Sequence, residues 1–498
     1  MKPATIIFSL LLVAVFAIQE PSCTTTTGST VYLSPRGGWT YGENDYFAYN
    51  ARVQPQPYAI FTPNSTAQVA AILKCSSSKG LATVGLSGRH SYCTNGYGGR
   101  NGSVVVDLQN LASVFVDKNT KVIVAGGGAR MGAIDQALAK VKGTLPHGTS
   151  PYVGVGGHTT GGGYGFTSRK WGMLLDNLVG IEIVLGNGTI TYATAEHNSD
   201  LFYAVRGAGH SFGIITQFVF KYLPAPPKAT VFFQSYQNRS AAQVVHAIEA
   251  YQNWTKSIDL PAELGLTLTM SPASPGSGRG FFGFFGSYLG SAQELRTYLD
   301  PLLRSVDSRA PDGNITEEYT NYADFLIEVS NYDGNPNYTN NDPDYTDNFY
   351  AKSVTVPESV TLSHDTISRY VNILLNEAQT SPFTEWGYWG GKHSAINAQP
   401  VDATAFVHRK AMFNVQIYTS YYGEGPFPPH GLDLINNLSK TLTGQNTWEA
   451  YQNYADPNLV NWQAKYYGSA YPRLQQLKKK WDPLNTIRFP LSIEQPAH

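Results

Sequence analysis

From Pro146 to Gly165 the chain reads Pro-His-Gly-Thr-Ser-Pro-Tyr-Val-Gly-Val-Gly-Gly-His-Thr-Thr-Gly-Gly-Gly-Tyr-Gly, with eight glycines in twenty residues. Glycine loses more backbone freedom on ordering than any other residue. The stretch therefore disfavours a regular helix and predicts irregular backbone wrapped against a planar ligand. A second dense segment, Val84 to Leu108, contains Val-Gly-Leu-Ser-Gly-Arg-His-Ser-Tyr-Cys-Thr-Asn-Gly-Tyr-Gly-Gly, whose exposed N–H groups can form an anion-binding nest for a pyrophosphate. Taken alone, a glycine-rich loop is more often only a turn, and a lone His90 in it more often a surface or hydrogen-bonding histidine. The Gly-x-Gly-x-x-Gly spacing fails in the 146–165 run and again at Gly126-Gly127-Gly128, where Met131 takes the sixth position. A Rossmann-type NAD site is thereby disfavoured.

Short strands alternate with helices around these loops. Val69, Ile72 and Leu73 recur at helical spacing between a cap at Ser65 or Thr66 and a stop at Gly80. Runs at Val104–Leu108, Val122–Ala125, Leu178–Leu185 and Ile214–Phe220 read as strands, and Pro224-Ala225-Pro226-Pro227 reads as a stiff linker. Beyond it, strands are expected around Val231–Phe233, Leu266–Thr269 and 281–286, and Ser291 with Glu294 forms a capping box. Asn331 to Asn348 reads as a long polar loop. A chain of 498 residues exceeds what one core usually organises, so an α+β protein of two domains is expected, divided at the prolines.

With 35 basic against 36 acidic side chains the chain has no electrostatic footprint for nucleic acid. Its 42% apolar and 14% charged content excludes disorder. Lys2 followed by the apolar run Ile6–Ile18 reads as a signal peptide over residues 1–22, with cleavage after Ala17 or Ser22. No later segment has the length of a membrane span. Eight Asn-x-Ser/Thr sequons, from Asn64 to Asn437, fit a secreted glycoprotein. Three cysteines permit one bridge, Cys23–Cys75 or Cys75–Cys93, and leave one thiol over.

Gly209-His210-Ser211-Phe212-Gly213 matches the elbow that presents a nucleophilic serine in hydrolases, but that elbow requires a helix after the serine and Ile214–Phe220 reads as a strand. His90, His147, His158 and His210 lack metal-ligand spacing, so no metal is expected. Tyr451 and Tyr454 are placed to line one wall of a cleft, or are simply amphipathic rings at a surface turn.

Taken together, Pro57–Phe220, Ala403–Arg409 and Tyr451–Ile493 resemble the FAD-linked oxidases of the vanillyl-alcohol oxidase and p-cresol methylhydroxylase type. They are most similar to the secreted berberine-bridge-enzyme-like branch that includes fungal oligosaccharide oxidases. The resemblance implies a non-Rossmann FAD-binding domain made of residues 40–226 and 449–498. A substrate domain of antiparallel sheet plus helices, 227–448, is then inserted between the two parts. It also implies FAD bonded covalently through His90. Many members carry a second link through a cysteine in His-Gly-Thr-Cys-Pro; this chain has His147-Gly148-Thr149-Ser150-Pro151, and serine cannot make that thioether. Ser87, Gly88, Arg89, Ser91, Ser150, Val153, Gly156, Gly157, His158, Gly161, Gly213 and Ile215 are the further cofactor-binding residues it implies.

By the same resemblance Val153 favours reaction with dioxygen, Tyr454 is the general base, Tyr92 and Tyr451 are cleft tyrosines, and Gln416 contacts substrate. An unperturbed tyrosine, with a pKa of about 10, is a poor base at neutral pH, so its phenolate needs support. The carboxylate that helps in oligosaccharide oxidases aligns with Gly387; Glu385, two residues earlier, is the candidate substitute, or else an ordinary solvated glutamate. The expected activity is hydride removal from an alcohol carbon of a sugar, oligosaccharide or other alcohol, with dioxygen reduced to hydrogen peroxide by a secreted monomer. A secondary-metabolite oxidase or cyclase and a catalytically weakened glycan-binding flavoprotein are the alternatives.

Overall fold

Ser65, whose side chain accepts from Gln68 N, opens the first helix among the described residues, Thr66–Ser78, and Val69, Ile72 and Leu73 form its buried face. That helix covers a four-stranded sheet in which Ala59–Thr62, Val104–Asp107 and Thr83–Leu86 run parallel. The computed structural model describes residues 30–33, 48–331 and 346–497. The signal segment and most of the polar 331–348 stretch lie outside them. Cys75 is disulfide-bonded, whereas Cys93 is a free, buried thiol, which removes the Cys75–Cys93 pairing. The other candidate partner, Cys23, lies outside the described residues.

A five-stranded antiparallel sheet follows, in the order Val114–Asp117, Val122–Gly126, Gly213–Lys221, Leu178–Leu185, Ile190–Thr194. Helix Ser199–Ala208 packs on it, burying Leu201, Phe202, Ala204 and Val205. Gly213–Lys221 extends directly from the turn carrying Ser211, and the fully buried Ser211 Oγ accepts from Ile493 N at 3.1 Å. The serine is a clasp for the chain end, and the hydrolase elbow is absent. The same end is held by Lys478, fully buried, which donates to Ser211 O at 2.6 Å and Asp482 Oδ2 at 2.7 Å.

Seven antiparallel strands make the third large sheet, in the order Gly313–Tyr319, Ala229–Ser240, Arg279–Tyr288, Leu264–Pro272, Ser381–Tyr388, Ala411–Ser420, Phe349–Pro357. The Ser291–Glu294 capping box is present and opens helix Ala292–Val306. That helix and those carrying Val244, Tyr370 and Leu434 share one core with Phe282, Trp386 and Val415. Because side chains alternate across a strand, their neighbours Glu385, Asn414 and Gln416 point to the opposite face. That face looks onto the glycine-rich loops.

One expectation is corrected in those loops. Val155–Thr160 forms a six-residue helix within the run read as irregular. Thr160 Oγ1 donates to Gly156 O at 2.9 Å, and missing side chains let the helix approach Ser87, which a Cβ on Gly156 would meet at 3.0 Å. Tertiary packing overrides glycine's propensity here. Beyond it the backbone is irregular, with Gly162 and Gly163 at φ 134° and 79°.

Candidate active site

Three loops converge because glycines let backbone meet backbone. A Cβ on Gly88 would lie 2.1 Å from Gly154 N, so the His90 loop and the Ser150–Val153 loop touch main chain to main chain. Ser87 Oγ donates to Gly127 O at 2.7 Å and accepts from Gly156 N at 3.2 Å, tying in the third. Asn453 fixes the C-terminal loop over them, its Nδ2 donating to His158 O and to Tyr451 Oη, both at 3.0 Å.

The result is a cavity of about 830 Å³ running from these loops to the seven-stranded sheet. Ser87, Gly88, Arg89, His90, Ser91, Tyr92, Ser150, Val153, Gly156, Gly157, His158, Gly213, Ile215, Glu385, Gln416, Tyr451 and Tyr454 all line it. Gly161 does not; it is packed against Asn453, whose Oδ1 a Cβ there would meet at 2.1 Å.

At the wall facing the sheet, Tyr454 Oη lies 2.8 Å from Tyr164 Oη, and Asn414 Nδ2 donates to Tyr164 Oη at 3.2 Å. Gln416 Nε2 donates to Tyr92 Oη at 2.7 Å, and the Tyr92 and Tyr454 rings stack at 5.4 Å. Tyr451 Oη accepts from Gly163 N at 2.9 Å. Burial first, then the neighbouring oxygens of Tyr164, Tyr92 and Glu385, raises the Tyr454 phenol well above its ordinary value. The Glu385 charge thus opposes the phenolate that it was expected to support.

Tyr164 and Asn414 had been given no role from sequence. Asn414 precedes Gln416 by two and shares its strand face, so alternation along Ala411–Ser420 was the signal that could have found it. Tyr164 closes the glycine run, and nothing local distinguishes it from a packing ring.

At the glycine-rich end, burial and then the Arg130 charge hold His90 down to about 3. Its Nε2 is buried without a hydrogen-bond partner among the described residues, as is Ser150 Oγ. Burial also holds His158 down to about 3, with His147 and His90 adding to it. Neutral imidazoles, unpaired polar atoms and a glycine at 157 with nothing within 4 Å of a Cβ suit a large planar group lying against backbone. An FAD fits these residues. Among the described residues no cluster of His, Cys, Asp and Glu is arranged for a metal, and no helix is long and apolar enough to cross a membrane.

A loop-built cavity without a Rossmann turn, facing an antiparallel sheet, defines a class that comparison with known proteins identifies. Residues 57–194 match the family described as FAD binding domain, and residues 450–494 the one described as berberine and berberine like. The chitooligosaccharide oxidase of Gibberella zeae is 32% identical over 95% of this chain and 94% of its own. A solved chitooligosaccharide oxidase superposes with a TM-score of 0.85 at 30% identity, covering 96% of this chain and 99% of its own. A solved glucooligosaccharide oxidase from Acremonium strictum, described as carrying 6-S-cysteinyl, 8α-N1-histidyl FAD, gives 0.84 at 29% identity over 96% of this chain and 99% of its own. The chain belongs to the FAD-linked oxidases of the berberine-bridge-enzyme-like branch, with the vanillyl-alcohol oxidase type of fold. It is an FAD-dependent oxidoreductase.

Proposed function

We propose that this protein is a secreted oxidase that removes hydride from a CH–OH carbon of a sugar or oligosaccharide, with dioxygen as electron acceptor. Residues 40–226 and 449–498 form the FAD-binding domain and 227–448 the substrate domain. FAD held by these residues would supply the hydride acceptor and the route of electrons to dioxygen. His90 holds it covalently, and Ser150, having no thiol, leaves that link single.

The observation that carries the reading is the row of Asn414, Tyr164 and Tyr454 joined by hydrogen bonds on the cavity wall. Tyr454 Oη takes the substrate hydroxyl proton. Asn414 donates to Tyr164 Oη, which turns the Tyr164 proton toward Tyr454 and stabilises the charge that forms there. Because burial keeps Tyr454 neutral at rest, it must lose its own proton to solvent reaching the cleft before it takes the substrate's. The row supports the phenolate left behind and carries no proton, since the Asn414 amide only donates to Tyr164. Gln416 and Tyr92 present an amide and a hydroxyl to a polar substrate, and stacked rings exclude water. The chitooligosaccharide and glucooligosaccharide oxidases to which the chain is similar support a carbohydrate substrate.

Peroxide release on a panel of mono- and oligosaccharides, simple alcohols and phenols tests this, with Tyr454→Phe as control. Peroxide from sugars that falls sharply in the variant is expected. Equal activity in both proteins removes Tyr454 as base, and activity confined to phenols removes the carbohydrate assignment.

A further inference from the structure

Residues 48–51 lie before the segment that matches the FAD-binding family, and no sequence signal marks them. In the fold the Tyr49 ring lies flat against His90, with centroids 4.7 Å apart and planes 18° from parallel. Tyr49 is itself fixed, stacking on Tyr92 at 6.2 Å and meeting Phe349 at 5.4 Å. Its backbone N donates to Arg89 O at 3.2 Å, and Asn50 Nδ2 donates to Tyr92 O at 2.6 Å, so this short segment brackets His90 on both sides. Arg89 holds a left-handed φ of 68°, uncommon for a residue with a side chain. Its guanidinium is tied to Asp107 at 2.7 Å with both side chains nearly buried. An imidazole held neutral by burial offers no charge state to regulate, which leaves ring placement as the variable the protein sets.

We infer that Tyr49 is a positioning residue for flavin attachment: its ring, together with the left-handed Arg89, fixes the plane of the His90 imidazole for bonding to the flavin 8α carbon. The inference rests on the single-link reading given above. Attachment forms one C–N bond and breaks one methyl C–H and the imidazole N–H. The two protons and two electrons released are taken up by dioxygen as hydrogen peroxide. Stacking restrains the tilt of the ring while leaving its edge open for the new bond. With Ser150 in place of a thiol, covalent retention depends on this one ring.

The test compares wild-type, Tyr49→Phe and Tyr49→Leu holoproteins. Total FAD per chain is read by absorbance in the native state. The linked fraction is read after denaturation and by the mass of the peptide containing His90. Wild type and Tyr49→Phe are expected to be linked throughout, whereas Tyr49→Leu keeps FAD bound but loses several-fold of the linked fraction. Tyr49→Leu linked as fully as wild type overturns the inference, as does a parallel fall in bound and linked flavin. Wild type that releases its flavin overturns the single-link reading and the inference with it. Should Tyr49→Leu not fold, the linked fraction of Tyr49→Met decides by the same criterion.

Discussion

Burial and the oxygens around Tyr454 favour its proton, so in the proposed role of base it would work only as strongly as its neighbours let it. Tyr454→Phe removes one hydroxyl from a ring that keeps its packing. A loss of roughly 10²–10⁴-fold in kcat with little change in melting temperature is expected, measured by steady-state peroxide release and thermal unfolding. The sign of the Glu385 effect is also fixed: a negative charge disfavours the Tyr454 phenolate, so Glu385→Gln lowers the phenol's pKa. The rising limb of kcat/KM against pH should then move to lower pH; a limb that stays would show that the carboxylate charge does not reach Tyr454, and one that moves up that the carboxylate supports the phenolate. Cys93 is buried and its thiol is pushed up to about 12, chiefly by desolvation. One thiol per chain should therefore react with a disulfide reagent after denaturation and none before it.

The loop 451–457 carries Tyr451 and Tyr454 and is anchored at its far end by Asp456, which accepts from Lys352 Nζ and, at 2.8 Å, from Tyr350 Oη. The carboxylate is 1% exposed and the lysine 10%. Lys352→Met would leave a buried charge without its cation, at a cost of about 3–5 kcal/mol. Chemical denaturation should show that loss, and unchanged stability would place the anchor elsewhere. At this scale the helices and strands were largely legible: the Ser65 cap, the Ser291–Glu294 box and the strand after Ser211 follow from local patterns. The helix Val155–Thr160 was not, because packing against Ser87, distant in sequence, stabilises it.

Across the whole molecule the cavity is assembled from the glycine-rich loops, the C-terminal loop and one face of the seven-stranded sheet. Chain ending at residue 448 would lack Tyr451, Tyr454, the Asn453 bonds and the Lys478 clasp. Such a truncation is expected to retain no flavin, checked by absorbance of the purified product; yellow protein of that length would show that the N-terminal part suffices. The sequence by itself determined the cofactor class, through the family its motifs resemble, and it put His90, Ser150, Tyr451 and Tyr454 in short contiguous segments that such a resemblance can single out. Only the tertiary structure decided that Cys93 is free and that Glu385 opposes the phenolate. It alone also joined Tyr164 to Asn414 and laid Tyr49 on His90. Each of these depends on distance and desolvation between residues far apart in sequence, quantities that no local pattern encodes.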